Sequence, residues 1–181
     1  MERRGQDRDV RPAGPPALSS PIGRAAATWQ NAYLNHSAKT ATGRPMRLID
    51  AAQHVQDHMP GYIVRRIEEA AATRGLTLDS CRVLLVGITY KAGVADIRQS
   101  PAHPIAELLL ELGATVQYYD ELVTTWTVNN TAVPPYDPRL PATDIAVLLQ
   151  HDTTDYTTLL SKIPIVLDTR GRHHGPKTLP L

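Results

Sequence analysis

Apolar residues change their spacing twice along the 181-residue chain. From Met1 to Arg24, Arg, Pro, Gly and Ser dominate, and large apolar side chains are too few to offset the entropy of ordering, which predicts a disordered leader. Between Pro45 and Arg74, Leu48, Ala52, Val55, Met59, Ile63, Ile67 and Ala70 recur at three- and four-residue intervals, the signature of one buried face of a long helix. Pro60 removes a backbone donor inside it, so the helix is expected either to kink there or to restart with Pro60 in a first turn. Gly75 supplies its C-terminal stop. The apolar stripe has two readings: it packs on the chain's own domain, or it faces a partner.

After Leu76 the spacing becomes that of strands. Val83 to Val86 is a continuous apolar run ending at Gly87, as expected of a strand covered on both faces of a parallel sheet. Ser100 and Pro101 form an N-cap and first-turn proline, and Ala102, Ile105, Ala106, Leu109 and Leu112 make a helical stripe that Gly113 ends. Ala114 to Tyr119 is then a second strand, and its crossover helix favours a right-handed βαβ unit in an open parallel α/β sheet. Beyond a proline-containing stretch from Val123 to Pro141, Ile145 to Leu149 and Ile165 to Leu167 read as strands, with a short helix from Tyr156 to Leu160 between them.

Composition narrows the functions this pattern can serve. A formal charge of +1 provides no general field for nucleic acid or an anionic membrane, so anion binding has to be local. The single cysteine, Cys81, excludes an internal disulfide and a multi-cysteine zinc site and suits a cytoplasmic setting. No metal is expected, because His173 and His174 lack further ligands and His151 reads as a capping or core residue.

In an open α/β sheet, ligands sit beyond the carboxyl ends of the strands. Gly87 is followed there by Ile88, Thr89, Tyr90 and Lys91, then Asp96, Arg98 and Ser100; the last strand is followed by Asp168, Thr169 and Arg170. Lys91, Arg98 and Arg170 together with a helix N-terminus suit a phosphate or diphosphate, which makes a nucleotide the expected ligand. The competing reading pairs Lys91 and Arg98 with Asp96 on a solvated surface. The next glycine after Gly87 is Gly93, so a Gly-x-Gly-x-x-Gly turn is absent and this is not expected to be an NAD-binding unit.

The stretch Val83 to Pro101, VLLVGITYKAGVADIRQSP, closely resembles the C-terminal signature of the UDP-glucose/GDP-mannose dehydrogenase family, a strand followed by G-x-x-Y-K-x-x-V-x-D-x-R-x-S-P. Met59, Pro60 and Tyr62, the Tyr119-Asp120 pair and Asp168-Thr169-Arg170 extend the resemblance over Tyr33 to Leu181. Ala95 and Gln99 depart from the usual acidic residues. The resemblance implies a Rossmann-like domain at 76–181 that binds a UDP-sugar, a remnant of a central dimerisation helix at 33–75 and a non-family leader at 1–32. It further implies an NAD-dependent oxidation of a sugar C6 alcohol to a carboxylate, serving polysaccharide biosynthesis. By position, Tyr90, Lys91 and Arg170 would contact the nucleotide-sugar, and Arg98 would approach NAD across a domain interface. A homodimer through the Pro45 to Arg74 helix is also implied.

Family members use a cysteine in a G-G-x-C segment shortly before the position of Tyr33, where this chain reads Pro21-Ile22-Gly23-Arg24-Ala25. Cys81 opens an apolar strand and reads as structural, so no catalytic residue is expected. The join of leader to family-like sequence is expected of a truncated or frame-shifted gene or a misplaced start, leaving either an enzyme fragment or a noncatalytic binding or assembly module. Leu148 to Asp152, Asp155-Tyr156 and Asp168-Thr169-Arg170 look more like the UDP-N-acetyl-hexosamine branch (UDP-GlcNAc or UDP-ManNAc) than the UDP-glucose branch.

Overall fold

The computed structural model describes Ser37, Thr40 and residues 46–150 and 156–181. The readings of the leader, of the Pro21 to Ala25 segment, of Tyr33 and of His151 to Asp155 lie outside the described residues. Helix α1 (Arg47–Ala72) precedes strand β1 (Arg82–Val86), helix α2 (Ala102–Glu111), β2 (Thr115–Tyr119), β3 (Trp126–Val128), β4 (Thr131–Val133), β5 (Ile145–Leu148), α3 (Thr157–Ser161), β6 (Ile165–Asp168) and β7 (Thr178–Pro180). Five strands form one parallel sheet in the order β2-β1-β5-β6-β7, the open α/β sheet that the apolar runs predicted.

The continuous apolar runs follow from burial of both sheet faces. Successive side chains on a strand point to opposite sides. Val83 and Leu85 of β1 join Ile63, Ile67, Ile105 and Leu109 in the core beneath α1 and α2. Leu84 and Val86 meet Leu160, Ile163 and Val166 beneath α3. From Val83 to Val86 neither face of β1 touches water, so no polar residue alternates along that run.

Helix α1 runs unbroken through Pro60, so it does not restart there. Pro60 instead marks where burial begins: Ile63 and Ile67 are fully buried, whereas Leu48 is 82% and Val55 62% exposed. The stripe therefore packs on the chain's own domain only from Ile63 onward, and its first half is left exposed. Gly75 ends α1 with φ +69°, and the Leu76 N–H donates to the Ala71 carbonyl at 3.2 Å, closing the last turn. Helix α2 begins one residue later than read; the Ser100 hydroxyl still accepts the Ala102 N–H at 3.2 Å.

Two elements in the structure had no counterpart in the sequence reading. The β3–β4 hairpin turns on Asn129 and Asn130, both at positive φ (48° and 62°), and buries Trp126 edge-on to Tyr118 with ring centroids 5.6 Å apart. Strand β7 carries Pro180, which an edge strand tolerates because its outer side needs no ladder donor.

Candidate functional site

With β5 third and β6 fourth among the sheet strands in sequence, the connections run in opposite directions from β1: one way to β2, the other to β5 and beyond. Such a reversal opens a crevice at the carboxyl ends of β1 and β5, where open α/β sheets take their ligands. Gly87 and Gln150 stand at that point. Gly87 has φ +76°, and a Cβ placed on it would lie 1.3 Å from the Gln150 carbonyl oxygen. The Gln150 N–H donates to the Gly87 carbonyl at 3.1 Å, and the Leu149 N–H to that of Val86 at 2.9 Å. The glycine is thus required by close approach of the β5 backbone.

Asp120, one residue past β2, shapes the loop that leaves β1. Its carboxylate accepts the N–H groups of Ile88 at 2.8 Å, Thr89 at 3.2 Å and Leu122 at 2.9 Å. Further along, the Tyr90 N–H donates to the Asp96 carbonyl at 2.9 Å, closing a small loop with Lys91 exposed at its tip. Arg98 is 86% exposed and grips Asp96 with two nitrogens, at 3.0 and 2.8 Å. The Arg98 hydrogen bonds hold the Asp96 carboxyl below its usual range, its side chain contributing most. For Arg98, then, the solvated pairing with Asp96 is what the structure holds. No such bond joins Lys91 to Asp96.

Arg170 follows β6 and is organised from beneath by Asp168, a fully buried carboxylate that accepts the N–H groups of Arg170 at 2.8 Å and of Arg172 and His173 at 2.6 Å each. Thr169 anchors the same turn, its hydroxyl donating to the Leu148 carbonyl at 2.6 Å. The Arg170 guanidinium is half-buried. Burial pulls its pKa below the ordinary arginine value, with repulsion from Arg172 acting in the same sense, although an arginine remains charged at neutral pH. One terminal nitrogen donates to the Gln150 side-chain carbonyl, while Nε is buried with no partner.

Gln150 therefore links the two loops, its backbone holding Gly87 and its side chain holding Arg170. Because only β5 separates β1 from β6, the loops leave the sheet about 10 Å apart on one edge. A diphosphate needs charge within such a span. Sequence reasoning named Asp120 and Asp168 as parts of motifs and did not assign Gln150. The two aspartates were detectable as carboxylates placed at strand ends, but nothing local marks Gln150.

Cys81 lies at the other end of β1, roughly 20 Å of extended chain from Gly87. It is fully buried, and burial, assisted by Asp144, pushes its thiol up to about 11. On the β1 loop, the space that a Cβ on Gly87 would need is filled by the Gln150 backbone. Among the described residues, no group of three or more His, Cys, Asp or Glu side chains could hold a metal, and no helix is long and apolar enough to cross a membrane.

Comparison with known proteins points the same way. Residues 84–174, half of the chain, match the UDP binding domain of the UDP-glucose/GDP-mannose dehydrogenase family. The UDP-N-acetyl-D-mannosamine dehydrogenase of Methanocaldococcus jannaschii is 29% identical over 134 residues, which are 69% of this chain and 30% of that protein. The UDP-N-acetyl-D-glucosamine 6-dehydrogenase of Pseudomonas aeruginosa is 32% identical over 92 residues, 51% of this chain and 22% of the relative. The chain thus spans less than a third of the length of these relatives. In fold it is similar to the UDP-D-ManNAc dehydrogenase of Pyrococcus horikoshii, with a TM-score of 0.65 at 16% identity over 88% of this chain and 48% of that one. The matched stretch contains the β1 loop, the Gln150 link and the Arg170 turn, and the chain belongs to the UDP-glucose/GDP-mannose dehydrogenase family through its UDP binding domain.

Proposed function

We propose that the chain holds the diphosphate of a UDP-sugar across the carboxyl ends of β1, β5 and β6, between Tyr90 and Lys91 on one side and Arg170 on the other. The observation that carries this reading is the Arg170 guanidinium, steered by Gln150 and left with a buried, unpartnered Nε beside the crevice. A donor desolvated without a partner costs free energy that an anionic acceptor recovers. The sugar in this reading is an N-acetylhexosamine, supported by the Asp168-Thr169-Arg170 run and by the N-acetylhexosamine relatives.

Within these 181 residues the chain binds without oxidising. Its sole thiol is buried at the wrong edge of the sheet and protonated at neutral pH. Oxidation of the sugar requires NAD, whose nicotinamide accepts the hydride. This domain has no cradle for it. Arg98, exposed on the β1–α2 loop, is assigned to the edge of a cofactor held by another domain. Binding and oxidation are thus divided between this domain, at 76–181, and parts supplied by another domain or chain, in a cytoplasmic setting.

Each charged hydrogen bond contributes about 1.5 to 3 kcal/mol, so Lys91 and Arg170 together give a dissociation constant of roughly millimolar or slightly tighter. Calorimetry with UDP is expected to show such binding, and Lys91→Ala to remove it. Equal binding by the variant rejects the role given to Lys91.

The exposed half of α1 supports a second role in assembly. Leu48, Val55 and Tyr62 follow one another at seven-residue spacing, so they share a face that the domain leaves uncovered. A second copy of the chain is the proposed occupant, forming a homodimer through the Pro45 to Arg74 helix. Sedimentation velocity is expected to show a concentration-dependent dimer that the double change Leu48→Asp and Val55→Asp reduces to monomer; a wild-type monomer at every concentration contradicts this.

A further inference from the structure

We infer that the chain has a second ligand site, for a small organic anion with an apolar body, between α3 and the loop joining β6 to β7. A cavity of about 370 Å³ opens there, within the range typical of small-molecule sites. Its floor is apolar, formed by Leu160, Val166 and Pro176. Among the described residues, every ionisable side chain on its wall is basic: His173, His174 and Lys177. Arg170 to Lys177 carries three arginine or lysine charges and no acid in a chain whose total charge is +1. Asp168, just before this run, is buried and already accepts three backbone N–H groups.

Polar atoms with spare bonding capacity converge on this cavity. Thr178 Oγ1 is buried and has no hydrogen-bond partner. It lies 3.1 Å from the point a Cβ on Gly175 would occupy, and His173 Nε2 lies 3.4 Å from the same point, so hydroxyl and imidazole close on one spot. The Lys177 ammonium donates to the Ser161 carbonyl at 3.1 Å, which uses one of its three donors. Apolar floor, basic wall and unpaired hydroxyl together describe a receptor for a compact molecule whose acidic group faces Lys177, His173 and His174. None of Tyr90, Lys91, Arg98 and Arg170 lines the cavity, so this site is separate from the one proposed for UDP.

The test is a titration of the whole chain with phenyl phosphate, followed by amide chemical shifts, with benzyl alcohol as the neutral control. Phenyl phosphate is expected to move the amides of 157–161 and 173–178, benzyl alcohol to leave them in place, and Lys177→Gln or His174→Gln to weaken binding about tenfold each. Both side chains are exposed, so the fold should tolerate their replacement. Lys91→Ala should leave this binding unchanged, which separates it from the UDP reading. Shifts confined to 88–91 and 170, equal binding by the Lys177 and His174 variants, or equal binding of the neutral control would each overturn the proposal.

Discussion

Gly87→Ala should destabilise the chain by about 4 kcal/mol or more, enough to lower Tm by at least roughly 10 °C or to prevent folding. The added methyl carbon would stand 1.3 Å from the Gln150 carbonyl oxygen and 2.3 Å from its carbon, and these are backbone atoms that cannot swing aside. They also belong to the pairing that joins β1 to β5 in the middle of the sheet, so relief would require prying the two strands apart. The φ of +76° adds a penalty of its own for any side chain. Gly61→Ala is the matched control: the same methyl meets nothing within 4 Å, in the interior of α1, and is expected to stabilise by about 0.5 to 1 kcal/mol. Thermal and urea unfolding of the two variants measure both signs. Comparable stability of Gly87→Ala and wild type would refute the close packing of β1 against the Gln150 backbone.

Asp168→Ala should cost about 2 to 4 kcal/mol and weaken UDP binding as well, although Asp168 is not assigned a contact with the nucleotide. Three backbone N–H groups, those of Arg170, Arg172 and His173, converge on its carboxylate. Removing it strands these donors around a buried position and releases the turn that aims Arg170. Asp168→Asn keeps one accepting oxygen and should fall between alanine and wild type. A lower urea midpoint with unchanged slope, together with faster amide exchange at 170, 172 and 173, is the expected signature. A stability loss within 0.5 kcal/mol would show that solvent or other groups replace the carboxylate.

These two residues illustrate what could be read from the chain. That β1 ends in a glycine and β6 in an aspartate was visible, because both follow continuous apolar runs whose ends the run itself marks. The reason for each was not. Gly87 read only as the end of the β1 run, and the structure shows it yielding space to Gln150. The β3–β4 hairpin was passed over because Pro134, Pro135, Pro138 and Pro141 suggested a loop; yet Asn129-Asn130 between two short apolar-flanked runs is a hairpin signal, since asparagine accepts positive φ. Strand β7 offers three residues including a proline, too little for any periodicity, and forms because β6 presents an open edge to it.

Helix α1 shows the same limit. Leu48 and Val55 repeat the spacing of Ile63 and Ile67, but periodicity specifies only which face is apolar, not how far along the helix a covering surface extends. Local chemistry likewise supplied Tyr90, Lys91, Arg98 and Arg170 as candidates, by placing basic and aromatic residues after strands. It could not say that Arg98 turns to Asp96 while Arg170 turns to Gln150.

What the amino-acid order determined alone was the three helices and strands β1, β2, β5 and β6, the double burial of the central strands, the basic residues at their carboxyl ends and the want of an accessible thiol. These depend on composition and on periods of two and 3.6 residues, which neighbouring residues express together. The tertiary structure decided that β5 inserts between β1 and β6, so that Gln150 ties the Gly87 turn to Arg170. Strand order is set by pairing between segments more than 60 residues apart, as Val83 with Ile145, and no local period encodes which distant strand will be the neighbour.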